Sequence, residues 1–467
     1  MSTMKWSDLL TVGRTSNPSR SASQEDLRNA FENDYQRIII SASFRRLQDK
    51  TQVFPLEKND FVRTRLTHSL EVSQIAKSLG TRIGAEIVNR KLDPDFTEKN
   101  IKELSDLLAC SGLLHDMGNP PFGHFGECAI RQWFSKNLNI ITYNNKCLND
   151  ILNEQMQKDF INFEGNAQVL RLLTKLHQLF TGTDGMNLTC ATVNSLFKYP
   201  TSSLEIDKYS NKVKLHKMGY FYAEKETFDK IVNATTTKGN RHPAAFLLEA
   251  ADDISYLLAD LEDGMKKRLF SLNQLQQELR PLKNHSQKDL KGCYDFFSDD
   301  YVIDELLFFQ QWITLHVRKT LINNVIRTFI KNYSSIMSGE FQSSLLEASD
   351  VNLLSSILGD ICYKYIFTNC DIQKIELAGK KIIFNLLDTL IPAVLYFDSP
   401  FKEKNKDENK RLRTLLSQNY VDAYNKYKVG KTDEEKLYLR LLLVTDTICG
   451  MTDSYAKNLY QELNGIS

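Results

Sequence analysis

Apolar side chains recur three and four residues apart along most of this chain, and that periodicity constrains its fold more than any other feature. DLRNAFENDYQRIIISASFRRLQ (26–48), THSLEVSQIAKSLGTRIGAEIVNRKL (67–92), KELSDLLACSGLLHDMG (102–118), NAQVLRLLTKLHQLF (166–180) and HPAAFLLEAADDISYLLADLEDGMKKRLF (242–270) each gather an apolar stripe on one helical face. The pattern continues through SLNQLQQELRPL (271–282), residues 302–333, 343–367 and 376–397. Stripes of this kind must be buried against one another, so the predicted fold class is all-α. NLTCATVNSLFKYP (187–200) reads as a short helix entered at Thr189, and the SSLEIDKYSNK segment that follows reads as a surface excursion.

With 467 residues and 42% hydrophobic content, the chain has enough material for a large core. Three stretches are expected: a mobile N-terminal arm over 1–27, a core over 28–280, and a helical C-terminal region over 281–467 packed on it. The arm rests on the serines and asparagines near positions 16–24, which offer little apolar surface to offset the entropy of ordering. FKEKNKDENKRLR (401–413) is charged enough to predict an exposed loop or helix entrance. Fifty-nine basic against 58 acidic residues leave a formal charge of +1, which argues neither for nor against nucleic acid, so any anion site must be local. Eight cysteines form no CxxC pair and are too sparse for a disulfide scaffold, which fits reduced thiols. Neither a leader segment nor a membrane-length apolar run is recognised, and a cytoplasmic protein is the expectation.

No repeat, Walker motif, GxGxxG or zinc-finger spacing stands out, so function has to come from a dispersed constellation. HSLEV (68–72), HDMGNPPFGHFGE (115–127) and EAADDISYLLADLED (249–263) set histidines and carboxylates beside helices. His115 and Asp116 are adjacent, so on a regular helix they diverge by about 100 degrees and share an ion only near a helix end or with favourable rotamers. Gly118 with Pro120 and Pro121 supplies such an end. His68 and Asp252 would complete the set from separate helices. This mixed nitrogen and oxygen donor set suits a divalent ion, manganese first, with iron, nickel, cobalt, zinc or magnesium as alternatives. His124 and Glu127 are three apart, as in an acid/base pair whose carboxylate orients the imidazole; packing of His124 against Phe122 or Phe125 is the competing reading. Arg65 shares a helical face with His68 and could serve a phosphate or a carboxylate. Asp252, Tyr256 and Asp260, four apart, form one stripe that could serve a ligand or a solvated acidic face.

Longer stretches carry a resemblance: SFRRLQDKTQVFPLEKNDFVRTRLTHSLEV (43–72), LLHDMGNPPFGHFGE (113–127), FEGNAQVLRL (163–172), HKMGYFYAE (216–224), LLEAADDISYLLADLEDG (247–264) and ICGMTDSYA (448–456). Over about residues 28–460, more weakly between 280 and 440, the chain resembles the bacterial dGTP and dNTP triphosphohydrolases of the HD superfamily. That resemblance implies an HD-domain helical fold with additional C-terminal helices. It implies water attack on the α-phosphorus of dGTP or another dNTP, releasing deoxynucleoside and intact triphosphate. His68, His115, Asp116 and Asp252 would hold the metal, His124 would protonate the leaving 5′ oxygen, and Glu127 would orient His124. Arg65, Lys217 and Arg241 would bind the triphosphate, Tyr256 the polyphosphate or sugar edge, Asp260 the 3′ hydroxyl, and Gln52 the base or sugar. Glu164 and Asn166 would stand behind these groups near the water. The family also implies a homo-oligomer, with a hexamer in view, and a single-stranded DNA or dNTP effector. Two other readings compete: an HD phosphohydrolase acting on nucleoside monophosphates or cyclic nucleotides, and a nucleotide-binding regulatory scaffold with little turnover.

Overall fold

The computed structural model describes residues 3–19, 27–54, 62–177, 184–298, 304–401, 404 and 406–466. Among these, the only paired strands are Thr142–Tyr143 and Lys146–Cys147, which form a minimal antiparallel hairpin; the rest of the regular structure is helical. The fold is therefore all-α. The helices that build the site are α1 (Ala30–Ile39), α2 (Arg65–Asn89), α3 (Glu98–Leu114), α4 (Gly123–Asn137), α5 (Gly165–Arg171), α6 (Pro243–Lys266), α7 (Asn352–Ile361), α8 (Cys370–Leu395), α9 (Asp433–Gly450) and α10 (Asp453–Leu463).

Local chemistry sets several starts. Asn29 and Glu32 form a capping box at α1, Thr64 and Thr67 one at α2, and Thr432 and Glu435 one at α9. The α6 helix begins at His242, whose ring nitrogen accepts the Ala244 N–H, with Pro243 at the first turn where no helical N–H is lost. Thr189 does cap a short helix, Cys190–Asn194, and most of 202–212 is exposed.

The α2 and α3 helices lie along each other, with α6 packed against both and α1 against α3. They approach closely because Gly112 has no side chain: a Cβ there would stand 2.5 Å from Ser73 Cα. The Ser73 hydroxyl donates to Ala109 O at 2.8 Å across the same seam. On the far side, α8 packs on α4, α9 and α10, and Trp133 Nε1 donates to Asp388 at 2.7 Å. In α5, Arg171 is buried between Glu224 and Asp446 of α9, at 2.8 Å from each. A single cluster of buried apolar residues extends from Met4 to Leu459. Described helices of both the 28–280 and the 281–467 stretches feed that cluster.

The N-terminal segment departs from expectation. Residues 3–19 are packed: Trp6, Leu9 and Leu10 are buried, Trp6 Nε1 donates to Tyr333 Oη at 2.9 Å, and Arg14 pairs with buried Asp34 at 2.8 Å. The serine-rich composition near 16–24 masked the apolar Met4, Trp6, Leu9 and Leu10 before it; residues 20–26 of the expected arm lie outside the described residues. Within 401–413, Asp407–Leu412 is a largely exposed helix, while 402, 403 and 405 lie outside the described residues. No helix among the described residues is long and apolar enough to cross a membrane.

Candidate active site

The α3 helix ends at Leu114, so His115 is its C-cap and Asp116 lies beyond it in the turn. This is the helix end that lets neighbouring side chains aim at one point. His68, in the second turn of α2, is fully buried, and Asp252 comes from the middle of α6. Donor atoms of His68, His115 and Asp116 all lie within 4.8 Å of one another. Asp252 Oδ1 stands 3.1 Å from His68 Nε2 and 3.4 Å from His115 Nε2. The His115 Nδ1–H is engaged by Gly112 O at 2.8 Å, which turns Nε2 toward the cluster.

These residues fit a divalent metal. His115 Nε2 and Asp116 Oδ2 are buried without a hydrogen bond, although Asp116 Oδ2 forms a 2.6 Å ion pair with Arg65. Burial acts to lower the His115 pKa, yet Asp116 and Asp252 overcome it and raise it to about 9. In other words, the carboxylates draw a proton onto the nitrogen that faces them, as expected of a pocket built for a cation.

His124 is the second residue of α4 and Glu127 lies one turn on, with Nδ1 and Oε2 3.0 Å apart. The imidazole is well exposed while the carboxylate is buried and also accepts the Gly165 N–H at 2.6 Å. The Cys128 thiol, 3.9 Å from Nε2, and Glu127 raise His124 to about 9 against its partial burial. Burial acts to raise Glu127, but His124, Lys217 and the Gly165 N–H hold it below the usual carboxylate range. His124 does touch Phe125 edge-on, so packing and pairing coexist. Behind the pair, Glu164 accepts Arg131 at 2.9 Å and Lys217 at 3.0 Å.

Two cavities meet at this centre, and Asp116 and Asp252 line both. The larger, about 570 Å³, also brings together Gln52, Arg65, His124 and Tyr256. The smaller, about 200 Å³, is polar and brings in His115, Asn166 and Lys217. Arg241 and Asp260 line neither of them. Arg241 is buried, bonded to Glu249 at 2.5 Å and lying over the Phe246 ring, while Asp260 sits beneath Tyr256, 1% exposed, where burial pushes its carboxyl well up. Arg241 therefore reaches the smaller cavity only through Glu249, one of its lining residues.

Sequence reasoning missed several lining residues. Lys198 and Tyr199 line the smaller cavity, with Lys198 Nζ 3.0 Å from Glu249. They precede Pro200 at the edge of the irregular 202–212 segment, where no periodicity marks a residue as inward. Tyr363 and Phe367 of the π-helical Cys362–Phe367 turn after α7, and Glu376 of α8, line the larger cavity. Tyr256 stacks on Phe367 with ring centroids 6.1 Å apart. The composite aromatic wall comes from segments more than a hundred residues apart, a proximity that no local pattern encodes.

A helical bundle with two histidines and an aspartate converging beside a histidine–glutamate pair defines a class, and residues 65–177 match the HD domain family. The chain is 52% identical to a deoxyguanosinetriphosphate triphosphohydrolase-like protein of Listeria innocua, over 99% of this chain and all of the relative. It is 34% identical to a protein of the same description from Synechocystis, over 99% and 100% of the two chains, and 33% identical to a deoxyguanosinetriphosphate triphosphohydrolase of Klebsiella pneumoniae, over 97% of each. The chain belongs to this deoxyguanosinetriphosphate triphosphohydrolase-like family of HD-domain proteins.

Proposed function

We propose that this chain is a metal-dependent enzyme that hydrolyses dGTP, and to some extent other dNTPs, at the α-phosphate to give deoxynucleoside and inorganic triphosphate. The observation that carries the reading is the division of space around the carboxylates Asp116 and Asp252. One side is a small polar cavity with Lys198 and Lys217, the other a larger one with aromatic walls, so a nucleotide laid across the centre has its phosphates and its nucleoside in separate surroundings.

His68, His115, Asp116 and Asp252 are the residues that would hold the ion, manganese first, then magnesium, cobalt, nickel, iron or zinc. When bound, a divalent ion neutralises phosphate oxygens and lowers the pKa of water. Lys217 and Lys198 match the charge of the polyphosphate, helped by Arg65 from the side of Asp116. Burial acts to lower the Lys217 pKa, but Glu164 and Glu127 outweigh it and keep the ammonium charged. His124, exposed to the larger cavity and held by Glu127, donates its proton to the departing 5′ oxygen. Tyr256 closes the sugar against its 2′ edge, with Asp260 behind it, and Gln52 offers an unpaired buried amide oxygen to base or sugar. Glu164 holds Lys217, and Asn166 lines the polar cavity. Arg241 acts through Glu249.

In this reading residues 28–280 carry the chemistry and 281–467 pack on them. The eight unpaired thiols favour a cytoplasmic protein. A homo-oligomer, with a hexamer as the expected form, and single-stranded DNA or a dNTP as effector complete the proposal. Product analysis with each dNTP and NTP across several divalent ions tests it. Deoxynucleoside with intact triphosphate is expected; absence of triphosphate from every dNTP overturns it. Turnover of monophosphates or cyclic nucleotides would instead mark a different HD phosphohydrolase, and saturable binding without turnover a regulatory scaffold.

A further inference from the structure

The ICGMTDSYA segment contributes no residue to either cavity, yet its aspartate reaches the site. Asp453, the first residue of α10, is 1% exposed. One oxygen accepts the Phe122 N–H at 2.9 Å and the other accepts the Thr51 N–H, also at 2.9 Å. Both amides adjoin the proposed machinery, since Phe122 is two residues before His124 and Thr51 precedes Gln52.

Phe122 needs a restraint. Its φ of 62° and ψ of 17° are left-handed, and Gly123 follows at φ 56°. A bulky L-residue held there costs about 1–3 kcal/mol and persists only where its surroundings over-determine it. Three distant elements do so here. Asp453 takes the N–H, the ring lies against Gly379 of α8 where a Cβ would stand 2.7 Å from Phe122 Cγ, and the Arg65 guanidinium occupies the space a side chain at Gly123 would fill. The left-handed turn redirects the chain after Pro120 and Pro121, so that α4 begins with His124 facing the larger cavity. Nearby, Lys50 Nζ donates to Asn119 O and Cys449 O, at 2.6 Å each, tying the same two regions together beside the carboxylate.

We propose that Asp453 is a positioning residue for the reaction: its carboxylate clamps the strained Phe122 turn that aims His124 and the Thr51 backbone that presents Gln52. The inference rests on the roles proposed for His124 and Gln52. Asp453→Asn keeps the shape but replaces one acceptor oxygen by an NH2 facing an N–H, so one amide loses its partner. Turnover should fall by about tenfold or more, as misplacing a proton donor does, while manganese stoichiometry stays that of the wild type. Hydrogen exchange should quicken in peptides covering 49–53 and 119–125 and stay unchanged in α2 and α3. A second variant guards against a folding defect. Glycine adopts a left-handed φ freely, so in a Phe122→Gly background the added loss from Asp453→Asn should shrink to about threefold or less. Turnover within about twofold of wild type, or exchange that quickens through every helix, overturns the clamp. A wild type that releases no triphosphate overturns the phosphohydrolase reading instead, and the exchange comparison still judges the clamp.

Discussion

His115 and Asp116 reach one point only because α3 stops one residue earlier, and His124 stands outside that point on its own turn. Under the proposed roles, metal binding and proton donation therefore separate at the level of single residues. Asp116→Ala is expected to lose the metal, whereas His124→Ala keeps it and turns over far more slowly; metal content after gel filtration and kcat distinguish the two. A general acid works in its protonated form, and a raised pKa extends that form to higher pH. With His124 at about 9, kcat should hold through neutrality and fall as pH rises past that value. Glu127→Gln removes one of the two bonds that raise it, so the alkaline limb of the kcat profile should move to lower pH. An unmoved limb would assign it to another group.

At the scale of elements, the seam between α2 and α3 fixes the distance from His68 to His115. Gly112 lies in that seam and its carbonyl also holds the His115 ring. Gly112→Ala should cost about 1–3 kcal/mol or more by forcing the helices apart, and should weaken metal affinity along with stability. Thermal melts and titration with manganese measure both. The helices themselves were legible: periodicity located α1, α2, α3 and α6, and Thr189 announced its short helix. The two histidine stations and the Asp252 stripe were legible for the same reason, since each sits on or beside a periodic segment. Lys198, Tyr199 and Glu376 were not, because their roles arise from which segments meet, and a π-helical turn such as Cys362–Phe367 shifts the face that a 3.6-residue period assigns. The packed N-terminal residues 3–19 were hidden in another way: Trp6 and Leu9 form less than two turns, too short for a period to emerge.

Across the whole molecule, the buried trio of Arg171, Glu224 and Asp446 joins α5 to α9. Arg171→Ala leaves Asp446 buried without a cation, while Glu224 keeps Lys175 at 3.2 Å, at a cost of roughly 3–5 kcal/mol. The midpoint of urea unfolding should drop accordingly. The two cavities that share Asp116 and Asp252 carry a different consequence, for what happens after bond cleavage. On the proposed binding mode the halves of the substrate would come to rest against different linings, lysines on one side and aromatic rings on the other, so neither product needs to leave first. Deoxyguanosine and triphosphate should then inhibit together rather than compete: raising one should leave the apparent inhibition constant of the other unchanged or lower, a pattern that a single shared chamber would forbid.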